Sequence, residues 1–195
     1  MIRWSVILAP LLCLTASLVH AAGFQLIEVP ADGPLPALKG GIWYPCAQPT
    51  GEVKLGPFVM PVVKDCPVAG EKLPLVVLSH GRGGTFLGHR DTAEALADGG
   101  FVVIAINHPG DNAMDRSRID EFSVYVERPA DVKRVIDFML GPWPGRRQDR
   151  QRAHWHVWLL AWRIYRPRRH WCQPVFWQAP EAVRRQGQHA LRSGS

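Results

Sequence analysis

The sequence predicts an α/β chain, a parallel sheet with flanking helices that is cut short on its C-terminal side. Three observations predict it. Two continuous apolar runs, Leu75–Leu78 and Phe101–Ile106, are each followed by turn-forming residues, the pattern of strands buried on both faces. Between them lies a segment with helical spacing, so strand, helix and strand succeed one another within about 35 residues, as in a βαβ unit with parallel strands. The third observation is a break in composition at Gly145. Residues 1–145 carry 12 Lys+Arg against 15 Asp+Glu, a net of −3, whereas residues 146–195 carry 11 Arg, no Lys and 2 acids, a net of +9. Five of the eight Trp also fall in that last stretch, so the overall charge of +6 describes neither part. Two kinds of sequence are joined there. The expected organisation is a leader over 1–22, a folded part over 23–145 and an aberrant basic tail over 146–195, whose 50 residues are not expected to fold natively.

The elements follow in order. "MIRWSVILAPLLCLTASLVHAAG" has a cationic start at Arg3, an apolar run and a small-residue exit at Val19-His20-Ala21. It reads as a secretory signal peptide cleaved near Ala21/Ala22, which predicts a periplasmic or secreted protein. The apolar run is short for a bilayer span, and Cys13 lies inside it. An exported chain meets an oxidising compartment. Cys46 and Cys66 are then the two cysteines of the acidic part, and a bridge between them would contribute about 3 kcal/mol. The alternative is two free or separately buried thiols. Cys172 stands apart in the tail.

Residues 23–73 are rich in Pro and Gly. Gly40–Pro45 reads as a strand ended by proline, and Gly56–Val63 as an extended edge or covering segment. After the first buried strand, Ala93, Leu96 and Ala97 mark a helical face, and Gly99-Gly100 stop it. A loop from Asn107 to Ser117 leaves the second buried strand. Pro129 then opens a helix whose face is Val132, Val135, Ile136, Met139 and Leu140, ended by Gly141-Pro142. A further strand is expected next, and "RRQDRQRAHWHVW" stands in its place.

The chemistry lies in "SHGRGG", Ser79 to Gly84. A strand that ends in His-Gly-x-Gly-Gly leaves backbone N–H groups free at its carboxyl end, where glycines allow a tight turn. Such groups can receive the oxyanion of a tetrahedral intermediate. "LPLVVLSHGRGG", "ALADGGFVVIAINHPGDN" and "RPADVKRVIDFML" together resemble the secreted dienelactone-hydrolase-like and platelet-activating-factor-acetylhydrolase-like esterases, over about Gly41 to Gly145. The resemblance implies a truncated α/β-hydrolase. It implies Arg82 N–H as one oxyanion donor, with Gly81, Gly83 and Gly84 shaping the loop. It also implies a small ester or short-chain lipid substrate, Ser-His-Asp acyl-enzyme chemistry, no cofactor and no specific protein partner. His80 sits on the oxyanion loop and is not the expected base. Ser79 is expected to be buried. His108 and Asp111 lie at the next strand end, where lining or structural roles are expected ahead of catalysis. The nucleophile elbow Gly-x-Ser-x-Gly occurs nowhere in the 195 residues.

The genetic code accounts for that absence. Trp is always TGG, and one base further on, a Trp codon followed by C reads GGC, glycine. Across Trp155-His156, Trp158-Leu159 and Trp162-Arg163 the shifted frame can read Ile-Gly-Met-Phe-Gly-Phe-Ser-Arg-Gly-Gly, which contains the missing elbow. The tail is therefore expected to be an out-of-frame reading that begins near Gly145, and the chain as written is expected to be catalytically dead. Without a continuing strand, the inner edge of the parallel sheet is expected to stand unpaired. The competing class takes the tail at face value, as an Arg- and Trp-rich segment that binds membranes or anions. Its "VWLLAW" has a poor polar face, and Pro167 would break a helix. An exported chain has little nucleic acid to meet, so none is expected as a partner. No metal spacing is present, and "GRGG" lacks the lysine and spacing of a phosphate loop.

Overall fold

The computed structural model describes residues 21–145 and, beyond them, the backbone of two strands, Val157–Ala161 and Val175–Gln178. The body of the expected leader, Cys13, Cys172 and the rest of the tail lie outside the described residues.

The two apolar runs are the centre of the sheet. Strand β6 (Leu75–Ser79) and strand β7 (Val102–Ile106) pair in parallel, from Leu75 opposite Val102 to Ser79 opposite Ile106, and every residue of both is buried. Before them come β1 (Ala21–Val29), β2 (Leu38–Cys46) and the short edge strand β5 (Val63–Lys64). A separate hairpin, β3 (Val53–Leu55) and β4 (Phe58–Met60), covers the sheet. With β8 (Val157–Ala161) and β9 (Val175–Gln178) the sheet order is β5-β1-β2-β7-β6-β8-β9. The sheet is mixed, because β2 runs antiparallel to both β1 and β7. Pro45 interrupts nothing in this arrangement, since the pairing of β2 with β7 ends at Trp43.

Each face carries its own apolar core. Helix α1 (Arg90–Asp98) presents Ala93 and Ala97 to one, beside Phe24, Trp43, Val76, Leu78, Val103 and Ala105. Helix α2 (Ser123–Leu140) presents Val135 and Met139 to the other, beside Ile42, Leu75, Val77, Ile104 and Ile106. The alternation along β6 and β7 divides each strand between the two cores. A 3-10 turn over Phe86–His89 leads into α1, and the helix ends where Gly100 adopts φ 93°, a conformation that favours glycine. Cys46 and Cys66 are bonded to one another, with Cα atoms 6.3 Å apart.

Two expectations need correction. The second helix does not open at Pro129 but at Ser123, and Pro129 lies inside it. Proline costs a bond to the carbonyl four residues back and crowds it. The six helical residues ahead of it bury Val124 and receive Arg118, which donates to Ser123 Oγ (3.0 Å) and to both oxygens of Glu127 (2.8 and 2.7 Å). Nor does the inner edge of β6 stand unpaired. Strand β8 adds to it in parallel, Leu75 opposite Val157 through Ser79 opposite Ala161, and β9 pairs antiparallel beyond. Among the described residues this supplies the backbone partners that an open edge lacks.

One glycine fixes how closely the strands approach. A Cβ at Gly40 would stand 2.1 Å from the backbone oxygen of Ala105 on β7, an atom that cannot step aside. Gly40→Ala is therefore expected to lower the unfolding free energy by about 2 kcal/mol, near the middle of the range for overpacking a core. Gly99→Ala, whose nearest neighbour would lie at 3.3 Å, is expected to shift it far less. Urea unfolding of the two variants checks the difference.

Candidate active site

The carboxyl ends of β6 and β7 lie side by side, and the loops leaving them are laced together. Four hydrogen bonds cross between residues 80–86 and 107–113. Gly83 N–H donates to Asp111 Oδ1 at 2.7 Å, and Phe86 N–H to Asn107 Oδ1 at 2.8 Å. His108 N–H donates to His80 Nε2 at 3.1 Å, and Ala113 N–H to the Gly84 carbonyl at 2.7 Å. Gly83 itself has φ 62°, a left-handed conformation that glycine adopts without strain. The tight turn closes with Gly84 N–H on the Gly81 carbonyl at 3.1 Å. Within this lacing the Arg82 N–H has no acceptor among the described residues, while the Arg82 side chain turns outward to Asp120 and to the Ile119 carbonyl (3.1 Å).

Beneath the loop is a buried polar cluster. His108 Nδ1 lies 2.9 Å from Asp131 Oδ2, and its Nε2 lies 2.8 Å from Ser79 Oγ. A carboxylate only accepts, so Nδ1 carries the proton and Nε2 accepts from the serine hydroxyl. His80 is fixed in the same tautomer, because its Nδ1 lies 2.6 Å from the Gly81 carbonyl while its Nε2 accepts from the His108 amide. The two rings stand edge to face with centroids 5.1 Å apart. Burial lowers both pKa values, that of His80 to about 4. Both are therefore neutral at neutral pH, as their hydrogen bonds require.

Arg128 closes the cluster from above. It donates to the His80 carbonyl at 2.8 Å and to Asp111 Oδ2 at 2.6 Å, with its guanidinium 5.2 Å from the centre of the Tyr125 ring. Asp111 has no exposed surface. Removing one member of so buried a pair costs about 3–5 kcal/mol, because the other charge is left without a partner.

The expected site residues thus come together unevenly. Gly81, Arg82, Gly83 and Gly84 form one compact loop at the carboxyl edge of the sheet. His108 and Asp111 do not pair with each other: His108 faces Asp131 and Ser79, and Asp111 faces Gly83 and Arg128. Ser79, His108 and Asp131 reproduce the order of a catalytic triad. However, Ser79 is 6% exposed and His108 0%, and burial disfavours the protonated imidazole that a general base must become. Sequence reasoning gave no role to Arg128 and Asp131. The signal was present, since Asp131 and Arg134 fall on the same helical face as Val135, where charge is buried only for a reason.

The site and sheet define the class. A mixed sheet with parallel centre, helices on both faces and a Gly-rich loop at the carboxyl end of β6 is the frame of an α/β-hydrolase. Residues 46–129 match the family model described as platelet-activating factor acetylhydrolase, isoform II. That match supports the resemblance to esterases of this kind carried by the loop and strand motifs. Among solved structures, a ferulic acid esterase from Streptomyces cinnamoneus matches with TM-score 0.59 at 22% identity, over 75% of this chain and 53% of its own. At that identity the likeness speaks for the fold, and this chain spans about half of that enzyme's length. No curated protein matches the chain by sequence.

The two buried imidazoles give a pH dependence of known sign. The unfolded chain takes up protons near pH 6.5, whereas folded His80 resists protonation down to about 4. Stability is therefore fully present above the unfolded value and is lost as pH falls towards the folded one. His80 alone is expected to account for on the order of 3 kcal/mol across that window. Urea midpoints between pH 7 and about 5, above the ordinary carboxylate range, check this. A flat profile there would contradict the buried neutral pair.

Proposed function

We propose that this chain is the N-terminal part of an exported α/β-hydrolase that cleaves small or short-chain carboxylic esters without a cofactor, and that it is silent as written. The carrying observation is the place of β8. It lies parallel beside β6, with Leu160 opposite Leu78 and Ala161 opposite Ser79. In this fold the nucleophile stands at the carboxyl end of a strand, on a sharp strand-to-helix turn. In the frame one base ahead, the elbow serine is encoded across the codons of Leu160 and Ala161. That serine would stand at the end of β8, one strand over from the start of the Gly81–Gly84 loop.

The chemistry is acyl transfer. A serine hydroxyl adds to the ester carbonyl as a histidine base takes its proton, and the carbonyl oxygen becomes an oxyanion. One N–H for that oxyanion comes from Arg82 and the second from the residue after the nucleophile. The alcohol leaves with the proton, and water then releases the acid. In this chain the loop that offers the first N–H is built, while the attacking hydroxyl is not encoded. Losing a nucleophile alone removes most of such an enzyme's rate.

The purified full chain is expected to hydrolyse a short-chain nitrophenyl ester no faster than buffer does. Turnover abolished by a serine-reactive phosphonate, with the label on Ser79, would overturn both the silence and the structural role of that serine. Sequencing the gene is expected to show Gly-x-Ser-x-Gly one base ahead across codons 158–163. Codons that cannot yield it would remove the reading.

A further inference from the structure

We propose that Asp111, held by Arg128, is the positioning residue of the oxyanion loop. The inference rests on the esterase reading above and names the groups that give that loop its shape. A turn of Gly81-Arg82-Gly83-Gly84 has several N–H groups and little side-chain bulk, so its glycines do not by themselves choose which N–H faces outward. The choice is made from outside the loop. Gly84 N–H closes the turn on the Gly81 carbonyl at 3.1 Å. Gly83 N–H is taken by Asp111 Oδ1 at 2.7 Å. That leaves the N–H groups of Gly81 and Arg82 without an acceptor among the described residues, and Arg82 is the one the esterase reading uses.

An anion beside an oxyanion hole is a poor choice unless it is neutralised, because a buried negative charge opposes the charge that develops on the substrate oxygen. Arg128 meets that requirement. The same guanidinium that holds Asp111 Oδ2 at 2.6 Å holds the His80 carbonyl at 2.8 Å. One side chain thus fixes the backbone just before the turn and the acceptor that organises it. The Asp111 side chain is fully buried and that of Arg128 is 12% exposed, so the pair is insulated from salt and water. Asp111 touches no reacting atom, and its effect passes through the Gly83 amide.

The test reads the loop directly in the isotope-labelled full chain. The Gly83 amide proton is expected far downfield and protected from exchange, as a short bond to a carboxylate requires, and the Arg82 amide unprotected. In Asp111→Ala the Gly83 amide is expected to exchange at least about tenfold faster, the loss of roughly one charge-assisted bond. The Val77 and Ile104 amides should stay unchanged as reporters of the folded sheet. Asp111→Asn keeps an acceptor and removes the charge, so it decides the matter even if the alanine variant fails to fold. Gly83 is expected to move upfield yet stay protected within about threefold of the original. An unmoved Gly83 resonance in Asp111→Asn, or a protected Arg82 amide in the original chain, would overturn the proposal. The esterase reading fails separately, at the codons of the gene, and a Gly83 amide that behaves as expected would not rescue it.

Discussion

The structure depends on keeping a buried imidazole neutral. His108 has no exposed surface, and it sits where β6, β7 and α2 meet. A buried polar group must have its partners or it costs the fold dearly. Here each ring nitrogen has one: Asp131 from the helix, Ser79 from the neighbouring strand. The His108 backbone in turn fixes His80, and through His80 the start of the Gly-rich loop. The position of a loop with almost no side chains is thereby set by side chains beneath it. With both nitrogens of His108 and of His80 hydrogen-bonded, the two rings are held in one arrangement.

Much of the frame was legible because burial on both faces leaves a plain mark. Continuous apolar runs at Leu75–Leu78 and Phe101–Ile106 allow little besides central parallel strands. Gly99-Gly100 punctuates the helix between them. The Gly-rich loop was equally legible, since a left-handed residue such as Gly83 has few alternatives. The start of α2 was hidden by Pro129. A local rule about proline met a segment that buries Val124 and pairs Glu127 with Arg118, and the helix runs through Pro129. Asp131 and Arg128 were hidden for another reason. Their partners lie 23 and 17 residues away in sequence, and periodicity records which face is apolar rather than which charge is paired. The apolar "VWLLA" of β8 was masked by the Arg-rich sequence around it, although such a run is what an open parallel edge accepts.

The same sheet shows how scaffold and chemistry separate. Strands β6 and β7, both helices and the Gly-rich loop are specified before Gly145. On the proposed reading, the hydroxyl that would use them belongs at the end of β8, which pairs in parallel with β6. The serine that is present, Ser79, serves the histidine as a hydrogen-bond donor, and the order Ser-His-Asp here reports buried packing needs. Recognising a triad requires access and a basic imidazole as well as distance.

The central claim is the protonation state of His108, and nitrogen-detected NMR of its ring in the full chain reads it most directly, with His108→Asn to assign the signals. The account predicts a ring that at neutral pH carries its proton on Nδ1 and leaves Nε2 bare, and that takes up its second proton only at a pH lower than an ordinary histidine does, because burial disfavours the charged form. An imidazolium at neutral pH, a ring that charges no lower than an ordinary histidine, or a proton on Nε2 in the neutral ring would contradict it.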